Sequence, residues 1–144
     1  MQSKFDNLLQ VASQWHRKGI GAVIATVIET WGSAPCRVGS QLIVSGDGHM
    51  EGSVSGGCVE GSVVLEALDS LKDGKTKVLE YGVSDDDAFA VGLACGGKMR
   101  VLVEPVGKQM PQNLLQELVD AIAKHESVIY EINIKTMQRR LVYN

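Results

Sequence analysis

The chain has 144 residues, of which 44% are hydrophobic and 22% charged, and its formal net charge at neutral pH is −3. This length predicts a single domain over residues 1–144, and the absence of a lysine- or arginine-rich run argues against nucleic-acid binding. No apolar run is long enough to span a bilayer and no signal-peptide pattern opens the sequence, so we expect a cytoplasmic protein with no membrane partner.

The first part of the sequence predicts a helix and then a buried strand. Apolar residues recur at helical spacing over residues 5–15, and Gly19 is placed to end this helix. Residues 22–30 form a nearly continuous apolar and β-branched run, which is typical of a buried central strand. The loop that follows carries a thiol, Cys36, and a guanidinium, Arg37. A guanidinium suits a phosphate or carboxylate, although a solvated loop arginine has the same appearance in a sequence.

A hairpin, a helix and several strands are predicted downstream. Asp47-Gly48, between residues 41–45 and 49–54, is a strong hairpin signal. Residues 59–71 present an apolar stripe at helical spacing, and Gly74 is placed to end that helix. Residues 77–83 then predict a strand, so a strand–helix–strand crossover with parallel strands is expected. The remaining predicted elements are a strand at 99–103, a helix with Pro111 at its first position, and a strand pair at 128–134 and 139–143.

These elements predict an α/β fold, with α+β as the alternative. We expect a mixed sheet of about five to seven strands flanked by three helices, with its parallel part at the crossover and antiparallel parts at the hairpins. No G-x-G-x-x-G follows a strand, so no Rossmann dinucleotide site is predicted. Edge strands such as the terminal hairpin need covering, which favours a homo-oligomer without setting its number of subunits.

The stretch 52–60, Gly-Ser-Val-Ser-Gly-Gly-Cys-Val-Glu, is the principal candidate site. Gly56 and Gly57 allow unusual backbone dihedrals and the close approach of a ligand. The N–H groups at the start of the following helix favour an anion, and they would favour the thiolate of Cys58 for the same reason. The stretch therefore predicts a pocket that accepts an anion and offers a sulfur. A tight strand-to-helix connection with a buried cysteine is the structural alternative.

A second glycine and cysteine element precedes the strand at 99–103. Cys95-Gly96-Gly97 reverses the order of Gly56-Gly57-Cys58, and convergence of the two turns would make a backbone-lined site with two soft ligands. The three cysteines include no C-x-x-C pair, which favours reduced thiols over a disulfide scaffold. The acidic run 85–87 lacks the oxygen spacing of a calcium loop, so no metal site is predicted.

The order of the motifs is similar to that of a known family. The motifs are Trp31-Gly32-Ser33-Ala34-Pro35, Gly39-Ser40-Gln41-Leu42, the stretch 52–60, Tyr81-Gly82, Gly92-Leu93 with Cys95-Gly96-Gly97, and Glu104-Pro105. From about residue 26 to residue 105 the chain resembles the N-terminal domain of the XdhC/CoxI family, the accessory proteins of xanthine dehydrogenase and carbon monoxide dehydrogenase. The resemblance implies binding of the molybdenum cofactor (molybdopterin), help with its sulfuration alongside a cysteine desulfurase, and insertion into an apo molybdenum hydroxylase of the xanthine or CO dehydrogenase type.

The candidate cofactor-binding residues combine the two glycine and cysteine turns, the loop arginine and polar residues beside them. They are Ser33, Arg37, Ser55, Gly56, Gly57, Cys58, Glu60, Cys95, Gly96 and Gly97. In the family an arginine usually follows the proline of the first loop; here Cys36 takes that place, and Arg37 comes one residue later. Longer members carry a C-terminal Rossmann-like domain, so the chain is expected to be either a stand-alone short member or the partner of a separate Rossmann-domain chain.

Three functions are compatible with these residues. The leading hypothesis is a maturation factor that binds the cofactor and does not turn over a substrate. The first alternative is an enzyme, a thiol-dependent sulfur transferase in which Cys58 carries a persulfide. The second alternative is a protein-interaction module that binds no cofactor and whose glycine turns are structural.

Overall fold

The fold is a sheet with helices on both faces, followed by a hairpin. The computed structural model describes residues 8–32, 36–55, 59–82 and 97–143, and over these residues the chain forms three helices and seven strands. The helices are α1 (Leu8–Arg17), α2 (Glu60–Asp73) and α3 (Gln112–Ala123), and none of the three combines the length and apolar character that crossing a membrane requires. The strands are β1 (Ala22–Trp31), β2 (Gln41–Ser45), β3 (Met50–Gly52), β4 (Lys77–Tyr81), β5 (Lys98–Pro105), β6 (Val128–Ile132) and β7 (Arg139–Tyr143). The predicted fold class is confirmed, with three helices and a sheet of five strands.

The five-stranded sheet has the order β3-β2-β1-β5-β4, and each strand in it runs antiparallel to its neighbours. The prediction of parallel neighbours at the crossover is therefore wrong for these strands. α2 does connect two strands that run in the same direction, β3 and β4, but they lie at opposite edges of the sheet. The 14 residues of α2 extend about 21 Å, comparable with roughly 19 Å across five strands. The crossover therefore passes over the whole sheet and does not join neighbours.

Two hydrophobic cores lie on the two faces of the sheet. In β1, Val23, Ala25 and Val27 belong to the core under α2, whereas Ala22 and Ile24 belong to the core under α1 and α3. Because both faces are buried, β1 is apolar almost without interruption. The predicted apolar stripe of α2 is confirmed, since its residues lie in or pack against the first core. They are Val59, Val63, Val64, Ala67, Leu68 and Leu71.

Glycine and proline mark the ends of elements. Gly74 ends α2 in the left-handed conformation, with a φ of 71°, and its N–H donates to Ser70 O at 2.8 Å. Pro111 is the N-cap of α3, one residue before the predicted position. Gly46, in the predicted hairpin turn, lies so close to the α1–β1 connection that a Cβ on it would stand 1.9 Å from Ile20 O. A glycine is therefore required there.

The predicted C-terminal hairpin, β6 with β7, is confirmed, and a buried ion pair joins it to β5. Arg139 Nε lies 2.9 Å from Glu104 Oε2. Tyr130 donates a hydrogen bond of 2.5 Å to the same oxygen, and Arg139 also donates to Thr76 Oγ1 at 2.6 Å. The hairpin is thus attached where β5 ends and β4 begins.

Candidate functional site

Three connections leave the sheet at one end, which is marked by Trp31, Tyr81 and Lys98 and which we call the loop end. Trp31 closes β1 and pairs with Lys98 at the start of β5, while Tyr81 closes β4 and pairs with Met99. β3 finishes at the same end and leads to α2, whose first turn reaches Tyr81, since Ser62 Oγ lies 3.1 Å from Tyr81 Oη. Three predicted motifs are thus flanked by described residues at the loop end: the loop that follows Trp31, the stretch 52–60, and Cys95-Gly96-Gly97.

The turn before α2 is built around the carboxylate of Glu60. Glu60 is the first residue of α2 and is only 6% exposed. Its Oε2 accepts hydrogen bonds from Ser53 Oγ at 2.6 Å and from the N–H groups of Val54 and Ser55 at 3.2 and 3.3 Å. Ser55 donates through its hydroxyl to Glu60 Oε1 and accepts a hydrogen bond of 2.8 Å from the N–H of Val59. Glu60 and Ser55 therefore fix the chain on both sides of the Gly-Gly-Cys motif.

These hydrogen bonds decide the ionisation of Glu60. Burial raises the pKa of its carboxyl, but the hydroxyls of Ser53 and Ser55 and two backbone N–H groups together lower it by more, so the pKa lies below its ordinary value of 4.5. The carboxylate is therefore ionised at neutral pH. Its observed role, and that of Ser55, is to organise the turn, and contact of either residue with a cofactor stays a prediction.

The last residue of the second glycine element, Gly97, lies beside the end of β1. Gly97 is buried and immediately precedes β5. Gly32, directly after β1, has a φ of +67°, and a Cβ on it would lie 3.8 Å from the Cα of Gly97. The two glycine backbones are therefore close neighbours at the loop end, with no side chain between them.

Arg37 lies on the other side of β1 from Gly97. It opens a turn in which the N–H of Ser40 donates to Arg37 O at 3.0 Å, and the N–H of Gly39 donates to Val27 O at 2.8 Å. The turn is thus attached to β1 on the side of β2, whereas Gly97 lies on the side of β5. Arg37 is exposed. Within the described part of the chain, Arg37 and Gly97 are therefore not brought together.

Six of the predicted site residues lie outside the described part of the chain: Ser33, Gly56, Gly57, Cys58, Cys95 and Gly96. The convergence of the thiols of Cys58 and Cys95 therefore stays a prediction, as do the roles of all six residues. The acidic run 85–87 and the start of the predicted first helix, residues 5–7, also lie outside the described residues. Cys36 is described, and it is a partly buried free thiol.

A hollow of about 360 Å³ lies at the loop end, and the sequence did not predict it. It is lined by residues from the ends of β1 and β4 and from the start of β5, namely Trp31, Gly32, Glu80, Tyr81, Lys98, Met99 and Arg100. Arg100 connects the charged groups of three strands, because its Nη1 lies 2.9 Å from Glu29 Oε1 and its Nε lies 3.4 Å from Glu80 Oε1. Three of these lining residues, Trp31, Gly32 and Tyr81, belong to the motifs that carry the family resemblance.

The fold and site define a class of protein, a small α/β domain in which glycine-rich connections gather at one end of an antiparallel sheet. Residues 15–82 match the model of the XdhC and CoxI family, and the chain belongs to that family over these residues. The family resemblance predicted from the motifs is thereby confirmed. The match ends at Gly82, before Cys95-Gly96-Gly97.

The names of two bacterial relatives refer to molybdenum cofactor insertion and to xanthine dehydrogenase. The chain is 34% identical over 104 residues to the molybdenum cofactor insertion chaperone PaoD of Escherichia coli (strain K12), with 72% of this chain and 32% of PaoD covered. It is 27% identical over 118 residues to a probable xanthine dehydrogenase subunit of Bacillus subtilis (strain 168), with 80% of this chain and 35% of that protein covered. The chain therefore spans about a third of the length of these relatives.

A solved structure has the same fold. The crystal structure of a xanthine dehydrogenase from Bacillus halodurans matches with a TM-score of 0.74 over 94% of this chain and 42% of that chain. The two sequences are 22% identical. At this level of identity the likeness supports the architecture alone.

Proposed function

We propose that the chain is a maturation factor that binds the molybdenum cofactor (molybdopterin) at the loop end and assists its sulfuration and insertion. Its partners would be an apo molybdenum hydroxylase of the xanthine or CO dehydrogenase type and a cysteine desulfurase. The family match and the relative named a molybdenum cofactor insertion chaperone support this proposal. The structural observation that carries it is the set of hydrogen bonds by which Glu60, at the start of α2, holds Ser53 and Ser55, which precede the Gly-Gly-Cys motif.

The start of α2 fits the phosphate group of molybdopterin. The hydrogen bond from the N–H of Val63 to Val59 O closes the first turn, and the N–H groups of Gly61 and Ser62 come before it. Gly61 is exposed, and a Cβ on it would meet no atom within 4 Å, so a ligand can approach the backbone there. Helix starts of this kind bind phosphate oxygens through N–H groups and favour negative charge.

The thiols fit the sulfur chemistry of the cofactor. When bound, molybdopterin would supply the sulfur ligands of molybdenum, and soft thiolates are suitable neighbours of such a centre. In this proposal Cys58 and Cys95 face the cofactor from the two glycine turns, and Cys58 is the candidate sulfur carrier. The protein itself binds and orients the cofactor and has no substrate turnover.

The test is the amount of molybdopterin that the protein retains when it is purified from cells that make the cofactor. Cys58→Ala and Cys95→Ala are expected to lower retention. Cys36→Ala is the matched control, because Cys36 adjoins the turn on the β2 side of β1. Equal retention in all three variants would contradict the assignment of Cys58 and Cys95. A parent protein that retains no molybdopterin would contradict the proposed function.

The sulfur-transferase alternative has a different readout. After incubation with a cysteine desulfurase and free cysteine, mass spectrometry would show one added sulfur atom on Cys58 if that residue carries a persulfide. The Cys36→Ala variant should behave like the parent, and the Cys58→Ala variant should show no added sulfur. A modified Cys58 in a protein that retains no molybdopterin would favour the transferase over the cofactor carrier.

A further inference from the structure

A β-bulge in β1 sets the direction of Trp31. Val27 faces the core under α2, but the register shifts between Val27 and Glu29, so that Glu29 pairs with Arg100. Residues two apart on a regular strand share a face, and an uninterrupted β1 would therefore place Trp31 on the face of Val27. With the bulge, Trp31 pairs with Lys98 and shares the opposite face with Glu29 and Arg100. Bulges beside binding sites often re-aim a side chain in this way.

The hollow places this tryptophan beside charged groups. Trp31 is 48% exposed, although a large aromatic residue is more stable when it is buried. The volume of about 360 Å³ falls near the lower limit of ligand cavities, which run from roughly 300 to 1,000 Å³. A cavity of this size with an indole at its wall suits a planar two-ring system better than a ligand of nucleotide size.

We infer that this hollow is the subsite for the pterin ring of the cofactor, with the ring stacked on Trp31 and its amino edge hydrogen-bonded to Glu80. The inference rests on the proposed function and specifies which part of the cofactor these residues recognise. The 2-amino group and N3–H of a pterin are adjacent donors, and the two oxygens of one carboxylate can accept from both. The ammonium group of Lys98 can donate to the carbonyl oxygen on the same ring.

Arg100 orients the carboxylate of Glu80 through an ion pair. Nε of Arg100 is buried and makes no hydrogen bond among the described residues, standing 3.4 Å from Glu80 Oε1. Glu29 holds the other end of the guanidinium at 2.9 Å from Nη1. The side chain of Glu80 is still 53% exposed, which leaves its carboxylate oxygens accessible to a ligand. The guanidinium therefore orients Glu80 without enclosing it.

One lining residue of the hollow, Tyr81, also contacts the start of α2. Tyr81 and Met99, which belong to the core under α2, are among the residues that line the hollow. Tyr81 Oη lies 3.1 Å from Ser62 Oγ in the first turn of α2. The hollow and the helix start that is proposed to bind the phosphate therefore have one neighbour in common, Tyr81.

The test uses free neopterin as the probe and Trp31 as the reporter. The chain has two tryptophans, and the other, Trp15, lies in α1 with its ring 5.9 Å from that of His49. In a Trp15→Phe protein, neopterin is expected to quench the emission of Trp31 saturably. Calorimetric titration of the parent provides a second measurement of the same affinity.

Two variants and their matched controls decide whether the contacts are correct. Trp31→Ala is expected to weaken neopterin binding roughly tenfold or more, as when a base–aromatic stack is removed. Glu80→Gln is also expected to weaken binding, because it removes the charge from the proposed hydrogen-bond acceptor. Leu65→Ala, which changes a 67% exposed residue on α2, and Glu51→Gln, which changes an exposed residue on β3, should leave binding unchanged. Trp31→Phe keeps an aromatic ring and should bind with intermediate affinity, which serves as the measurement if Trp31→Ala unfolds.

The outcomes separate this inference from the proposed function. A parent that retains molybdopterin, together with Trp31→Phe and Glu80→Gln variants that bind neopterin as tightly as the parent, would overturn the pterin subsite and leave the proposed function in place. A parent that binds neopterin through Trp31 but retains no molybdopterin would support the ring site and overturn the proposed function.

Discussion

Arg139 reaches from the terminal hairpin to Glu104 in β5, and the two charged groups meet at 2.9 Å with only 2% of either side chain exposed. Charges buried to this extent lose their hydration, and the mutual attraction and hydrogen bonds of the pair must offset that loss. Removal of one partner would leave the other charged and buried. The contact therefore decides whether the hairpin stays attached to the sheet.

The first prediction concerns the stability that depends on this pair. Arg139→Met is expected to lower the free energy of unfolding by about 3 kcal/mol, because Glu104 is left without its cation. Arg140→Met is the matched control, since the neighbouring Arg140 pairs with Glu131 at the surface and its loss should change stability little. Urea denaturation followed by circular dichroism measures both variants. A loss no larger for Arg139→Met than for Arg140→Met would show that the buried pair does not hold the hairpin.

The second prediction concerns the pH dependence that Glu60 confers. Folding lowers the pKa of Glu60 below its ordinary value of 4.5, so its ionised form stabilises the fold above that pH, and this contribution is lost as the pH falls through the folded-state pKa. Glu60→Gln is expected to cost about 2 kcal/mol near neutral pH and progressively less in acid. Urea denaturation at several pH values measures this difference, with Glu66→Gln on the same helix as the control. A pH-independent difference would contradict the role assigned to the Glu60 carboxylate.

The third prediction has the opposite sign and concerns Glu104. Burial raises the pKa of Glu104, and the hydrogen bonds from Tyr130 and Arg139 lower it by less. The stability associated with this raised pKa is fully present below the unfolded-state value of about 4.5 and is lost as the pH rises through the folded-state pKa. The free energy of unfolding of Glu104→Gln, measured relative to the parent, should therefore rise with pH over that window. A relative stability that falls over the same window would mean that the ion pair outweighs burial.

The fourth prediction tests the backbone of the proposed phosphate site. Gly61→Pro removes one N–H group in the first turn of α2, where proline is tolerated, and is expected to lower the retention of molybdopterin. Gly61→Ala keeps the N–H group and adds a Cβ that meets no atom within 4 Å, so it should retain the cofactor like the parent. Far-ultraviolet circular dichroism checks that α2 is intact in both. Equal retention of molybdopterin by the two variants would show that the N–H of Gly61 does not bind the phosphate.

Local sequence patterns predicted the elements of the fold well, because they reflect contacts that are near in the chain. The apolar stripe of residues 59–71 identified α2, and Gly74 identified its end. Asp47-Gly48 identified the first hairpin. Parallel neighbours were predicted wrongly, since a crossover helix looks the same in sequence whether it joins adjacent strands or the two edges of a sheet.

The site was harder to predict because its geometry depends on register. The direction of Trp31 follows from a bulge at Ile28, and no residue type there signals one. The proximity of Glu29, Glu80 and Arg100 exists only once three strands are aligned. An acidic residue at a helix start is expected to complement the helix dipole from the surface, so the inward position of Glu60 was not apparent.

Lys98 and Glu104 stand at opposite ends of β5, about 20 Å apart along the strand. The ion pair that secures the hairpin is therefore remote from the connections that would handle a ligand, and substitutions at sites so far apart contribute almost additively. Substitutions in the connections at the loop end can therefore accumulate without weakening the ion pair that attaches the hairpin. Grafting these connections from a distant homologue onto this sheet should thus exchange specificity while leaving the melting temperature of the scaffold nearly constant.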